Sequence, residues 1–391
     1  MNRLFLTGAT GFIGGRMAEV AVERGIPTTA LVRSWGRASR LARLPVDMVM
    51  GDVLDLESLR QAMKGCDTVI HCAVDNRVWG KAHRETSALG TRNVLQAAMD
   101  AGVGRVVHLS SIAVYGYRAA ADAQTEAAAY GNHVDDYCQG KIMAEKEVLA
   151  FFEQHGLPVT ILRPTIVYGP FGVETLETVD SLRNRTMVLV NGGTGICNSL
   201  HVDNLVDAAL LAAEHDNAVG EIFHVSDAEP VTWREFVEPH ARALGTEFLP
   251  IPDMTLDEIS VVRGRTQRRR KSSLAQLASV MREPTVKRAI RAIPAVRVSR
   301  RMASQVARVL LPAPARQRIR SHMNRGDVAP SKRDAEPLAL KGVPSSSKVD
   351  IYNNRVVFRI DKARDLLGYN PRIAFPEGIE QTIDWMKWAR L

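Results

Sequence analysis

A doubly wound α/β fold, a parallel sheet with crossover helices, is predicted by three features of the sequence. A short apolar run, RLFLTGA, leads directly into a loop with glycines at Gly8, Gly11 and Gly14. Apolar runs and helix-like runs then alternate over the first 130 residues, the pattern of parallel strands joined by crossover helices. The chain has 391 residues, 46% of them hydrophobic, enough for that core and a second lobe.

The elements follow in order. RLFLTGA reads as a strand, and FIGGRMAEVAVERG as a helix ending at Gly25. PTTALVR is a second strand, ASRLARL a short helix and VDMVMGD a third strand. LESLRQAMKG is a helix, DTVIHCA a strand, TSALGTRNVLQAAMDAG a long helix and RVVHLSS a fifth strand. A helix runs through KIMAEKEVLAFFEQHG, followed by a sixth strand, PVTILRP. The pattern becomes irregular from about Tyr168 and regains a helix at HVDNLVDAALLAAEH and a strand at EIFHVSD. The C-terminus ends in the helix GIEQTIDWMKWARL.

The glycine loop carries the first functional signal. Glycines let the turn be tight and let backbone approach a pyrophosphate, while the next helix presents open N–H groups and a positive dipole end. About 20 residues on, where an acid would select NAD, the second strand ends at Arg33. Arg33, with Arg37 and Arg40 nearby, suits the 2′-phosphate of NADP; the other reading is a solvated loop arginine. Asp52 in GDVLD is placed to accept from an adenine amino group or to cap a helix.

A second signal lies in DDYCQGKIMAE. Tyr137 and Lys141 are four residues apart and share one helical face. Four scattered cysteines, Cys66, Cys72, Cys138 and Cys197, form no CxxC pair, which argues against a disulfide framework or zinc site and fits a reducing cytoplasm. No run approaches the length of a membrane span. His201 has no clustered partners in sequence and is read as structural, so no metal is expected.

TGATGFIGG, GDVLD, VIHCA, GTRNVLQAA, HLSSIAVYG, YCQGK, ILRPTIVYGP and HVDNLVDA occur in an order and spacing that resembles the extended short-chain dehydrogenase/reductases, the NAD(P)-dependent sugar epimerase/dehydratase group. The likeness covers about residues 1–250 and resumes at about 350–391. It implies a Rossmann-type domain at 1–170, with 198–228 returning to it, and a substrate lobe at 171–262 and 346–391. It also implies a catalytic set of Ser111, Tyr137 and Lys141. Implied cofactor contacts are Gly8, Thr10, Gly11, Phe12, Ile13, Gly14, Arg33, Asp52, Val53, Ala73, Lys141 and Pro164. Substrate contacts are expected at Ser87, Arg163 and Asn198, with the 192–200 loop. In the implied chemistry the Lys141 ammonium and the cofactor's positive nicotinamide favour the Tyr137 phenolate, which exchanges a proton with substrate.

Two positions depart from the family pattern. Ser87 stands where Asn is frequent, so that residue's structural or proton-relay role is in doubt. Ile112 and Ala113 follow Ser111 where sugar 4,6-dehydratases carry an Asp-Glu pair, so dehydration of that type is not expected. The expected function is hydride transfer at a secondary alcohol or ketone of a nucleotide sugar, with NADP (or NAD) as cofactor. The alternatives are an NADPH-dependent reductase of a small carbonyl compound, dihydroflavonol- or hydroxysteroid-like, and a non-catalytic NADP(H)-binding regulator. The resemblance also implies a homodimer.

The net charge of +8 is unevenly spread. Arg263 to Arg333 holds 20 Lys and Arg against Glu283 and Asp327, leaving 31 basic and 41 acidic residues elsewhere. The segment 263–345 is read as a basic insertion. A reversible helix on an anionic membrane surface, at the inner face of a cytoplasmic membrane, is one reading. A lid gripping a diphosphate and a solvated insertion are others. Nucleic acid is not expected, because the segment lacks aromatics for base stacking.

Overall fold

The computed structural model describes residues 1–74, 80–131, 135–245, 251–264 and 344–391. The chain divides into two compact units, 1–254 with 344–391, and 255–343. In the second unit the described part opens with a reciprocal cap, Glu258 N–H donating to Thr255 Oγ1 at 3.3 Å and Thr255 N–H donating to Glu258 Oε2 at 2.8 Å. The rest of the basic segment, 265–343, lies outside the described residues.

The first unit is built on seven parallel strands: β1 (Leu4–Thr7), β2 (Thr28–Val32), β3 (Asp47–Met50), β4 (Thr68–His71), β5 (Arg105–Leu109), β6 (Val159–Pro164) and, after an excursion, a strand at Ile222–Val225. Their spatial order places β3, β2 and β1 on one side of β4, and β5, β6 and the Ile222–Val225 strand on the other. Register follows from the apolar runs: Leu4 pairs with Thr28 and Thr68, Val106 with Val159, and Phe223 with Leu162. β1, β2, β4, β5 and β6 are buried along their whole length, as expected of parallel strands covered on both faces.

Helices fill the two faces. α1 (Phe12–Glu23) lies on one, and α2 (Leu56–Ala62), α3 (Lys81–Asp100) and α4 (Asp136–His155) lie on the other. Phe5, fully buried among Leu59, Val69, Val94 and Val106, anchors the second core; truncating a residue of this kind costs about 3–5 kcal/mol. The expected short helix at ASRLARL is instead a single 3₁₀ turn, Leu41–Arg43, with another just before it at Trp35–Arg37. Seven residues ahead of Pro45 are too few to repay helix nucleation.

Beyond β6 come β7 (Ile166–Tyr168), α5 (Val173–Arg183), β8 (Leu189–Val190), β9 (Ile196–Cys197) and β10 (Ser199–His201). α6 (Val202–Glu214) then returns to the sheet's first face, and β11 is the seventh strand, Ile222–Val225. β12 (Val231–Thr232), α7 (Trp233–Ala243) and β13 (Asp253–Met254) follow, and the chain re-enters at α8 (Ser346–Tyr352), α9 (Asp361–Leu367) and α10 (Phe375–Trp388). Three small two-stranded pairs, β10–β7, β12–β9 and β13–β8, brace this part. His201 caps α6 by accepting from Asp203 N–H, in keeping with its structural reading.

Candidate active site

The glycine loop joins β1 to α1 and rests against the end of β4. Gly8 has φ of +70°, and a Cβ on it would lie 2.8 Å from Ala73 N. A Cβ on Gly14 would lie 2.3 Å from Gly8 O, so backbone alone fits there. Gly11 is the N-cap of α1 and supplies no side-chain cap. The first N–H groups of α1, at Phe12 and Ile13, are therefore left to another acceptor. Thr10 and Gly11 are exposed on the same turn. These features fit a dinucleotide pyrophosphate, which needs close backbone approach and unused donors.

On the adenosine side, Arg33 is exposed at the end of β2, and Arg37 is exposed in the following turn. Arg40 is already engaged: its Nε and Nη2 donate to Glu19 at 2.6 and 2.8 Å, and its guanidinium lies over the Phe171 ring at 4.5 Å. Asp52 Oδ1 accepts from Leu54 N–H at 3.1 Å, while Asp55 is the cap of α2. The cap reading of Asp52 thus moves three residues along. Val53 O accepts from Asn93 at 3.0 Å, which ties this loop to α3. Pro164 is buried at the end of β6.

Asp135 begins α4. Its Oδ1 accepts from Tyr137 N–H at 2.7 Å and Cys138 N–H at 3.2 Å. This cap fixes the first turn that carries Tyr137. Ser111 follows β5, is extended (φ −167°) and accepts from Ala113 N–H at 3.1 Å. Its side chain lies near the Tyr137 hydroxyl and favours the phenolate. One turn along α4, Lys141 Nζ donates to Leu109 O at 2.7 Å, which ties the helix to the end of β5. Tyr137, Lys141 and Ala73 line one cavity with Val53 and Ser87. The glycine loop and the Tyr–Lys face therefore meet across Ala73.

Burial sets the electrostatics. It pushes the Tyr137 phenol upward, against the nearby Ser111 side chain, which favours the phenolate. Burial lowers Lys141 to about 8, opposed by the Glu145 carboxylate. Cys72 itself is raised to about 12 by burial. The cofactor-free protein therefore holds Tyr137 as the phenol. The expected help from Lys141 gives way to desolvation.

Two expected substrate contacts are placed elsewhere. Arg163, 2% exposed, donates to Glu145 through Nε at 3.0 Å and Nη2 at 2.7 Å, and its guanidinium also reaches the Tyr115 hydroxyl at 2.5 Å. Asn198, 4% exposed, donates to Val356 O at 2.9 Å and accepts from Phe358 N–H at 3.1 Å. Both hold the fold together from inside. Ser87 lines the cavity, its hydroxyl donating to His83 O at 2.9 Å. Sequence reasoning missed His71, His83 and His108, which line the same cavity. The motifs VIHCA and HLSS contained two of them, but nothing in either marks a site. Among the described residues no cluster of His, Cys, Asp or Glu is placed to hold a metal, and no helix is long and apolar enough to cross a membrane.

A parallel doubly wound sheet, a glycine turn that admits close backbone approach and a Ser–Tyr–Lys face at the strand ends form a Rossmann-type arrangement suited to a nicotinamide dinucleotide. The model of the NAD dependent epimerase/dehydratase family matches residues 4–226, and the chain belongs to that family. It is 34% identical over 222 residues to a putative dihydroflavonol 4-reductase of Synechocystis sp., covering 54% of this chain and 61% of that one. The match thus spans about three fifths of that relative's length. It is 31% identical over 264 residues to a UDP-glucose 4-epimerase of Vibrio cholerae, covering 64% and 78% of the two chains. The solved UDP-glucose 4-epimerase of Thermotoga maritima shares the fold at a TM-score of 0.66 and 17% identity, covering 100% of both chains.

Proposed function

We propose that this protein transfers a hydride between NADP(H) and a secondary alcohol or ketone of a compact carbonyl compound. The observation that carries the reading is the contact of Ser111 with Tyr137 beside a cavity that Lys141 and Ala73 share. Tyr137 is the acid and base, and Ser111 orients the substrate oxygen. Lys141 holds the face against β5. When bound, the nicotinamide supplies or accepts the hydride. Its positive oxidised form offsets the burial that otherwise keeps Tyr137 protonated.

The choice of NADP rests on Arg33. It is exposed at the end of β2, and no carboxylate lies between Arg33 and Arg43. The choice of substrate rests on what the site lacks. Arg163 and Asn198 face inward, and Ile112 and Ala113 are apolar next to Ser111. This leaves fewer polar groups for a sugar diphosphate and agrees with the reductase named among the relatives. A second reading is a nucleotide-sugar epimerase or 4-keto reductase, favoured by the Vibrio relative.

The test is a titration of NADPH and NADH, after any co-purified nucleotide has been identified by mass and absorbance. Empty protein that prefers NADPH by about tenfold, about 1.4 kcal/mol, supports the reductase, and Arg33→Ser should abolish that preference. Tightly retained NAD(H) sinks the Arg33 argument and favours the epimerase. Exposed Leu89 on α3 and Met143 on α4 support pairing of two copies through these helices, which sedimentation checks. The +18 segment supports reversible attachment to anionic lipid. Equal liposome flotation of the full chain and a 263–345 deletion counts against it.

A further inference from the structure

Between α3, α4, β4 and β5 lies a cavity of about 20 Å³, enough for one water. Its wall includes Tyr137, Lys141, Ser87, His83 and His108. Gly140 lets α4 approach α3 closely on this side: a Cβ there would stand 3.2 Å from Ser87 Oγ and 3.3 Å from the His83 ring. The wall is also polar: His108 is 3% exposed, and neither of its ring nitrogens has a partner among the described residues. A water held by several such groups satisfies polar atoms that would otherwise be buried alone.

Three imidazoles border this space, and two are poorly suited to carry a proton. His71 is held by Thr7 at 2.7 Å and Thr91 at 3.3 Å, and burial lowers it to about 3. Burial also holds His108 well below its ordinary value. His83 stands in the first turn of α3, is buried at 5% exposure, and its ring is nearly parallel to that of Tyr137, centroids 6.4 Å apart at 27°. Among the described residues, the charged and titratable groups near it include Tyr137 and Lys141 from α4, His71 from β4, His108 from β5, and the Arg84–Asp136 ion pair across the α3–α4 seam.

We propose that His83 is the proton-transfer residue through which Tyr137 exchanges its proton with solvent, by way of the water-sized cavity that both residues line. The proposal rests on Tyr137 as the acid and base. In carbonyl reduction a bound reduced nicotinamide would supply the hydride for the new C–H bond. The Tyr137 O–H bond breaks, and its proton goes to the substrate oxygen. The phenolate is reprotonated through the cavity from His83, which recovers a proton from solvent. Oxidation of an alcohol runs each transfer in reverse.

Binding of oxidised cofactor alone tests this, because its positive charge favours the phenolate and expels a proton. Wild type, His83→Gln, His83→Ala and Tyr137→Phe are mixed with NADP⁺ or NAD⁺ in weak buffer containing a pH indicator. The expected result is rapid release in wild type and none in Tyr137→Phe. Both His83 variants should reach the wild-type amplitude roughly tenfold or more slowly, and added imidazole should restore the rate of His83→Ala. Wild-type rates in the His83 variants, with Tyr137→Phe silent, overturn the role of His83 alone. Release that persists in Tyr137→Phe, or is absent from wild type, overturns the Tyr137 reading and this proposal with it. Loss of cofactor binding in His83→Gln also overturns the proposal, since it gives His83 no contact with the dinucleotide.

Discussion

Arg163 and Glu145 form a buried two-point ion pair, Nε to Oε1 at 3.0 Å and Nη2 to Oε2 at 2.7 Å, joining β6 to the helix that carries Tyr137 and Lys141. Tyr130 donates to the same carboxylate at 2.9 Å. Removing one partner strands the other charge in the interior. Arg163→Met should cost about 3–5 kcal/mol in urea denaturation, and Arg163→Met with Glu145→Leu should recover much of it. A single variant as stable as wild type would contradict the structural role given to Arg163.

The glycine loop makes a separate prediction. Gly14→Ala places a methyl group 2.3 Å from Gly8 O, and the turn must open to admit it. Cofactor affinity should fall by about a hundredfold or more, with a loss of roughly 1–3 kcal/mol in stability. Isothermal titration and thermal denaturation measure the two effects. Unchanged affinity would mean that the loop does not cradle the pyrophosphate.

Lys141 predicts a pH dependence. Its folded value of about 8 lies below the unfolded value of about 10.4. Between these limits the unfolded chain binds more protons, so this group's contribution to stability rises with pH. Its burial cost is fully present below about pH 8 and is relieved towards about pH 10. Lys141→Met should therefore gain stability relative to wild type most clearly near neutral pH, and the difference should shrink as the pH rises. Denaturant midpoints across that range provide the check; a pH-independent difference would contradict the assignment.

The parts of this molecule written in local sequence were legible. The β1–glycine–α1 unit depends on residues a few positions apart, and so does the Tyr137–Lys141 spacing on α4. Ser111 could be placed from its motif because a strand end fixes where the chain emerges. Arg163 could not, since its role depends on Glu145, whose position beside it is created by packing of α4 on β6. Asn198 likewise depends on Val356 and Phe358, about 160 residues away in sequence. His83 and His108 lie on a helix and a strand, and only the adjacency of α3 and β5 around the cavity joins them. Helical spacing in ASRLARL was a local signal that the short, proline-limited loop overrode.

In the proposed reaction Tyr137 supplies the proton for nicotinamide-linked carbonyl reduction. The most direct test compares wild type and Tyr137→Phe for oxidation of NADPH against a panel of small ketones, with cofactor affinity measured in both. The account predicts turnover by wild type, a loss of about 10²- to 10⁴-fold in Tyr137→Phe, and equal cofactor affinity. Turnover by Tyr137→Phe at the wild-type rate would contradict it.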